Sequence, residues 1–239
     1  MTATLVHIPH SPWSRRVRLA LERMGVPVRL RTYTPTLSEP WLRARLRRWR
    51  GRLTVPVLLR DDGPPLTDSF DIVCWASDQS PTPLAPSHLR DALRDWNARA
   101  EAMLSAGRQR TTWEVLDHDD ALRASLPPPA SALGPLGLWL GRDHCWRLLE
   151  KYGDGREPMA WEADLAWFVA DLDTRLQQGD VLLGEPSYAE LLLATALTFV
   201  RPDAGAAVPE AARACWSIPE LVDAYPEVFR WQDRILQPA

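Results

Sequence analysis

The sequence is poor in cysteine, and the few that it has are not arranged as a site. Cys74, Cys145 and Cys215 are scattered along 239 residues, and no Cys-x-x-Cys pair occurs. Neither a disulfide framework nor a zinc site is predicted. Cysteine usage of this kind is typical of a reducing compartment, and we expect a cytoplasmic protein. His7 and His10 have no acidic or cysteine partners near them in the sequence, so no metal is expected.

Long apolar runs are also missing. The longest, from Leu191 to Val200, falls short of the roughly 20 residues that span a bilayer, so no membrane partner is expected. The first residues lack the basic and apolar segments of a signal peptide. A net charge of −3 argues against nucleic acid as a partner. No GxSxG, GxGxxG or P-loop pattern occurs, so serine-hydrolase and nucleotide-binding functions have no motif behind them.

The sequence does contain two regions of different pattern, within an apolar content of 46% that is ordinary for a globular protein. Residues 1–78 alternate between short apolar runs and amphipathic stretches, which predicts an α/β domain. Residues 79–87 are proline-rich and form a linker. Residues 88–239 carry almost only helical patterns, which predicts an all-α helical bundle.

The first region predicts the element order β-α-β-α-β-β-α. A strand at Leu5–Ile8 leads through Ser11-Pro12-Trp13-Ser14 into a helix over 17–24. There follow a strand over 28–34, a helix over 39–49 capped by Ser38, a strand over 55–59, a short return strand at Leu66-Thr67 and a helix begun by Asp68-Ser69. Pro56 is abnormal for a central strand, and a cis bond in a tight turn explains it.

The second region predicts helices over about 88–118, 137–152, 161–178, 191–200, 218–224 and 226–236. Ser187 and Glu190 form a capping box at the start of the most apolar helix. Because that helix is apolar nearly all round, it is expected at the buried centre of the bundle.

The chemistry of the first region follows from serines at two predicted helix starts. Backbone N–H groups at a helix N-terminus stabilise anions. Ser11 and Ser14 lie at one such start, and Ser69 lies at another beside the carboxylate of Asp68. A serine hydroxyl at this place can donate a hydrogen bond to an anion, but its pKa is too high for a base.

Four motifs in this order resemble the cytosolic glutathione transferase family, with features of its serine-type bacterial, tau and zeta members. They are the serine turn that runs into Arg16-Val17-Arg18, Thr54-Val55-Pro56-Val57, Leu66-Thr67-Asp68-Ser69 and the segment Leu183–Glu190. The resemblance covers both regions, and it implies a thioredoxin-like domain followed by an all-helical domain. It also implies glutathione as co-substrate, no metal and a homodimer.

The resemblance assigns roles to residues of the first domain. Ser11 is predicted to donate a hydrogen bond to the glutathione thiolate, with Ser14 as the alternative and as an early helix residue. The other predicted glutathione-binding residues are Trp13, Arg52, Val55, Pro56, Asp68 and Ser69. Arg50 and Arg52 belong to a basic run over 43–52, and such a run is typical of a solvent-exposed face. The resemblance implies that one of the two, Arg52 or Arg50, binds the glycyl carboxylate.

The pocket for the second substrate is expected between the two domains. Its predicted residues are Pro9, His10, Trp41, Met103, Arg110 and Trp113. Aromatic residues there favour a flat or apolar electrophile. The expected function is attack of glutathione thiolate on such a compound, in a detoxifying enzyme. Two alternatives stay open: a glutathione-dependent cis–trans isomerase of the zeta type, and a non-catalytic ligand-binding or interaction protein with the same fold.

Overall fold

The computed structural model describes residues 3–35, 37–126 and 133–237. The chain divides into two compact units. The first unit comprises the chain up to Asn97 together with Leu183–Thr195, and the second comprises Ala98–Leu182 and Ala196–Gln237. The segment Leu183–Thr195 is grouped with the sheet-containing unit although it lies far along the chain. A hydrogen bond of 2.7 Å from the Tyr188 amide to the Leu84 carbonyl helps to hold it there.

The first unit contains a small mixed sheet in the order β2-β1-β3. β1 (Ala3–His7) is central, and it pairs in parallel with β2 (Val28–Thr32) and antiparallel with β3 (Val57–Leu59). The predicted return strand is reduced to one antiparallel bridge between Leu58 and Leu66. β2 is an edge strand, and it is exposed on both faces after Val28, whereas its alternation of apolar and basic residues predicts a single solvated face.

Three helices complete this arrangement: α1 (Pro12–Arg23), α2 (Glu39–Leu46) and α3 (Ser69–Ser77). α1 begins five residues earlier than predicted, because Pro12 is compatible with the first helical position. Ser38 precedes α2 as predicted, but its hydroxyl does not cap the helix; it accepts a hydrogen bond from the Thr34 amide at 3.0 Å. The mixed sheet with helices confirms the predicted α/β class of this region.

The rest of the described chain is mostly helical, as predicted. Its helices are α4 (Arg90–Leu116), α5 (Asp119–Ser125), α6 (Gly134–Tyr152), α7 (Pro158–Leu176), α8 (Tyr188–Ala196), α9 (Pro219–Ala224) and α10 (Pro226–Leu236). Throughout the three described stretches, no helix combines the length and the apolar character needed to cross a membrane.

α8 confirms the prediction of a buried helix with a capping box. All of its residues are buried, and the amide of Ser187 donates to Glu190 Oε2 at 2.9 Å. The Ser187 hydroxyl lies 3.0 Å from the same oxygen. The carboxylate therefore satisfies polar groups at a helix start that water does not reach.

Candidate functional site

The turn between β1 and α1 is built around Ser11. Its amide donates to the Ile8 carbonyl at 3.1 Å, which closes the turn. Ser11 is then the N-cap of α1, and its Oγ accepts a hydrogen bond from the Ser14 amide at 3.5 Å. Ser11 is half-buried. Because its oxygen acts as the acceptor in that contact, the hydroxyl hydrogen remains able to point toward a ligand.

Ser14 has a different environment in the same turn. Its side chain is 1% exposed, and its Oγ accepts a hydrogen bond from the Ile8 amide at 3.2 Å. The hydroxyl thus satisfies a backbone N–H as the chain leaves β1. The prediction that Ser14 is an early residue of the helix is confirmed.

The N-terminal end of α1 is electrostatically suited to an anion. The structure describes all of its first turn, and that turn contains no acidic side chain. No negative charge of the protein therefore offsets the positive end of the helix dipole there. Burial lowers the pKa of His7, and the positive charge of Arg18 lowers it further. The imidazole of His7 is therefore neutral at pH 7 and adds no charge to this end of the helix.

The start of α3 is held by two side chains with separate roles. Asp68 is the N-cap, and its Oδ1 accepts hydrogen bonds from the amides of Phe70 at 2.8 Å and Asp71 at 3.1 Å. Ser69, which is 6% exposed, accepts a hydrogen bond of 2.6 Å from Nη2 of Arg16. Because Asp68 caps the helix, Ser69 does not act as its N-cap.

Arg16 is a residue that the sequence did not single out as functional. It lies in α1, its side chain is fully buried, and it places a guanidinium directly behind the Ser69 hydroxyl. A charged donor on that oxygen leaves the hydroxyl hydrogen to point elsewhere and makes it a stronger donor. The signal available in the sequence was only that an arginine follows the serine turn, 53 residues away from its partner.

Asp71 is a second residue that the sequence analysis passed over. It lies one helical turn from the Asp68 cap. Burial raises the pKa of Asp71, the neighbouring charge of Asp68 raises it further, and Arg94 acts in the opposite direction. The carboxylates of Asp68 and Asp71 thus concentrate negative charge beside Ser69, which favours a cationic group such as an ammonium.

The peptide bond between Val55 and Pro56 is cis, which confirms that prediction. Pro56 is buried immediately before β3, and Val55 is half-buried against a cluster that includes Val6 and Val57. Arg52 is exposed in the loop that leads to this point.

The predicted pocket residues of the first unit have diverse environments. Pro9 and Trp13 are half-buried, and His10 is exposed. Trp41 is also half-buried, but the guanidinium of Arg31 lies 3.6 Å from its ring centroid. One face of Trp41 is therefore covered by a cation–π contact, which leaves less of the ring for a ligand.

Among the predicted pocket residues of the second unit, Met103 and Arg110 are buried inside that unit. Met103 is 3% exposed. Arg110 is buried, and it donates to Glu162 at 3.1 Å and to the carbonyls of Cys215 at 2.8 Å and Ser217 at 3.1 Å. The guanidinium thus stabilises the second unit by linking α4, α7 and the segment around Cys215 through hydrogen bonds.

Trp113 is the more accessible of the three predicted residues from this unit. Its side chain is 37% exposed, and it meets Trp146 of α6 edge to face, with ring centroids 5.9 Å apart. Trp146, which the sequence analysis did not select, is itself exposed. Such a pair offers aromatic surface to a flat apolar molecule.

The structure therefore connects some predicted residues and leaves others apart. Ser11 and Ser14 share the β1–α1 turn, and Arg16 links that helix to Ser69. Within residues 3–35, 37–126 and 133–237, no group of three or more histidine, cysteine or acidic side chains is arranged to hold a metal ion.

Comparison with known proteins gives a consistent result. Residues 10–79 match the family model of the glutathione S-transferase N-terminal domain. A search among curated protein sequences finds no match.

Solved structures resemble the whole chain at low sequence identity. A glutathione S-transferase from Methylobacillus flagellatus KT with glutathione bound has a TM-score of 0.65 and 17% identity, over 99% of this chain and 96% of that one. Rice GST1 in complex with glutathione has a TM-score of 0.57 and 16% identity, over 97% and 86%. A glutathione transferase family member from Pseudomonas fluorescens Pf-5, with bound S-(propanoic acid)-glutathione, has a TM-score of 0.54 and 21% identity, over 98% and 94%.

Proposed function

Because the chain carries a glutathione S-transferase N-terminal domain and has the fold of those enzymes, we propose that it is a glutathione transferase of the serine type. In the reaction, the thiolate sulfur of glutathione forms a bond to an electrophilic carbon of an apolar compound. The leaving group departs with the electron pair of the broken bond. The thiol proton passes to solvent.

The position of the Ser11 hydroxyl carries this proposal. It is half-buried at the N-terminus of α1, and it accepts rather than donates in its contact with the Ser14 amide. It can therefore donate to a thiolate, and the positive end of the α1 dipole favours the same charge. Ser14 is a weaker candidate because its hydroxyl is buried and already holds the Ile8 amide.

The start of α3 supports binding of the other end of glutathione, which carries a carboxylate and an ammonium. The Ser69 hydroxyl, backed by the Arg16 guanidinium, suits the carboxylate. Asp68 uses one oxygen as the helix cap, and its charge suits the ammonium. Val55 and Arg52 are proposed to bind the cysteinyl backbone and the glycyl carboxylate.

The residues of the first unit that are proposed to contact the electrophile are Trp13, His10 and Pro9. The electrophile is proposed to be flat and apolar, because an aromatic side chain such as that of Trp13 favours such a molecule. A cytoplasmic location, a homodimer and a role in detoxification belong to the same proposal.

The test is the Ser11→Ala variant, assayed with glutathione and a nitro-activated aryl halide. We expect kcat to fall about 100-fold, as for the loss of one donor to a developing anion. The pKa of the bound thiol, followed by thiolate absorbance, should rise, while glutathione affinity changes little. Ser38→Ala is the matched control, because its hydroxyl accepts a hydrogen bond from a nearby amide in a different turn.

Three results would reject parts of the proposal. An unchanged rate in Ser11→Ala would move the role to Ser14 or to backbone donors. Failure of the unaltered protein to bind glutathione in titration calorimetry would favour a non-catalytic protein with this fold. Turnover of a maleyl compound without a conjugated product would favour the isomerase alternative.

A further inference from the structure

The loop between α2 and β3 is organised by one arginine of α2. Nε of Arg43 donates to Glu39 Oε1 at 2.8 Å. Nη1 donates to the carbonyl of Arg48 at 3.2 Å, and Nη2 donates to the carbonyl of Gly51 at 3.1 Å. The single guanidinium therefore connects a helical carboxylate with two backbone carbonyls of the loop that follows. We call this group of contacts the Arg43 clamp.

The backbone of the loop explains why such a clamp is useful. The C-cap of α2 is Arg47, which has a φ of 51°, in the left-handed region that non-glycine residues seldom occupy. The amide of Arg48 donates back to the Arg43 carbonyl at 3.0 Å, and Gly51 has a φ of 82°. The backbone thus adopts the left-handed conformation twice within five residues, outside regular secondary structure, and the clamp supplies hydrogen bonds there.

Only arginine suits this position, because its guanidinium has five donors in a rigid planar fork. A lysine ammonium is a single centre on a flexible stem, and it cannot reach a carboxylate and two separated carbonyls with the same geometry. The Arg43 side chain is 20% exposed and engaged by these partners. It is therefore poorly placed to bind a ligand directly.

The loop that the clamp holds carries the exposed side chains of Arg50 and Arg52. Beyond them, Leu53 and Val55 pack against the buried cluster of Val6, Leu42, Val57 and Leu59. The loop is therefore fixed on one side by the clamp and on the other side by the hydrophobic core. A loop held at both ends presents its basic side chains in a restricted region, which reduces the entropy lost when they bind an anion.

We propose that Arg43 is a positioning residue for recognition of the glycyl carboxylate of glutathione. This inference rests on the proposed function, because it takes glutathione as the ligand and Arg50 or Arg52 as the group that meets the carboxylate. Arg43 acts through the loop and does not touch the substrate. Its influence is expected at the glycine end, since the Ser11 turn and the start of α3 are built by other residues and Val55 packs against the buried cluster.

The experiment compares two ligands that differ only in that glycine. Glutathione and γ-glutamylcysteine are titrated by calorimetry into the unaltered protein and into Arg43→Lys. Arg45→Lys is the matched control, because Arg45 is exposed on the same helix. We expect the Kd of glutathione to rise about 3- to 10-fold in Arg43→Lys. The Kd of γ-glutamylcysteine should stay within about twofold, and Arg45→Lys should change neither.

The selectivity between the two ligands separates positioning from general damage to the fold. A rise in both Kd values by the same factor in Arg43→Lys, or no rise for glutathione, would overturn the inference. Glu39→Gln is a milder second variant, which keeps an oxygen acceptor but removes the charge, and a smaller rise confined to glutathione is expected. If the unaltered protein binds neither ligand, the proposed function fails first. If it binds both and Arg43→Lys is unselective, only the role of Arg43 is rejected.

Discussion

Removal of the Ser69 hydroxyl should destabilise the first unit through the buried arginine behind it. In Ser69→Ala, Nη2 of Arg16 loses an acceptor at 2.6 Å, and both residues are buried, with exposures of 0% for Arg16 and 6% for Ser69. Hydrogen bonds to charged groups contribute about 1.5–3 kcal/mol, and a buried donor that loses its acceptor keeps its desolvation cost. We expect a loss of about 2 kcal/mol in the free energy of unfolding. At this chain length that corresponds to roughly 4–8 °C in Tm.

Two other serines provide matched comparisons. Ser14→Ala removes the acceptor of the neutral Ile8 amide at 3.2 Å and should cost about 1 kcal/mol. Ser11→Ala removes a longer capping contact of 3.5 Å in a half-buried side chain, and a cost of about 0.5 kcal/mol is expected. The order of destabilisation is therefore Ser69, then Ser14, then Ser11. The expected order for loss of turnover is different, since Ser11→Ala should have the largest effect on kcat.

Differential scanning calorimetry is the suitable assay, because the two units need not unfold in one transition. Ser69→Thr keeps a hydroxyl at the same position and should recover part of the lost stability. If Ser69→Ala melts no lower than Ser11→Ala, the contact with Arg16 does not carry the energy assigned to it. The reasoning about a charged donor behind Ser69 would then be refuted.

Three further predictions concern titration, packing and thiol reactivity. Burial and the charge of Arg18 lower the pKa of His7 below its usual value of 6.5. Below pH 6.5 the unfolded chain therefore binds a proton at His7 more readily than the folded chain does, so Tm should fall as the pH drops through that value. In His7→Asn, Tm should depend less steeply on pH than in the control variant His118→Gln, which alters an exposed histidine. An equal dependence in both variants would contradict the prediction. Gly107→Ala should lower Tm although alanine is favoured in helices, because the new methyl would lie 2.4 Å from Phe199 Cβ; a higher Tm would count against this. Burial raises the pKa of Cys145 to about 11, so iodoacetamide at about pH 8 should alkylate the less buried Cys74 first, as peptide mass spectrometry can show. Faster labelling of Cys145 would be inconsistent with its burial.

Much of the local structure could be predicted from the sequence. The serine turn before α1, the capping box of Ser187 and Glu190 and the cis bond at Pro56 were all expected and are observed. Each depends on residues within a few positions of one another, where chain geometry and proline or capping chemistry restrict the conformation. Three of the four motifs behind the resemblance to the glutathione transferase family lie within residues 10–79, which match the model of that family's N-terminal domain. The serine-type subclass stays a prediction.

The environments of the site residues could not be predicted in the same way. Met103 and Arg110 lie on one helix with Trp113, and sequence spacing gave no reason to separate them. In the structure the first is buried, the second bonds to carbonyls more than 100 residues away, and the third is exposed beside Trp146. Their different surroundings come from the segments that pack against each turn of the helix, which sequence periodicity does not specify.

The same distinction applies to the serines. Local sequence determined that Ser11 and Ser14 begin one helix and that Asp68 and Ser69 begin another, because helix starts are selected by neighbouring residues. Only the tertiary structure decided that Ser14 is internal and that Arg16 reaches Ser69. Burial and contacts between distant residues depend on how whole elements pack, and that packing optimises many side chains at once.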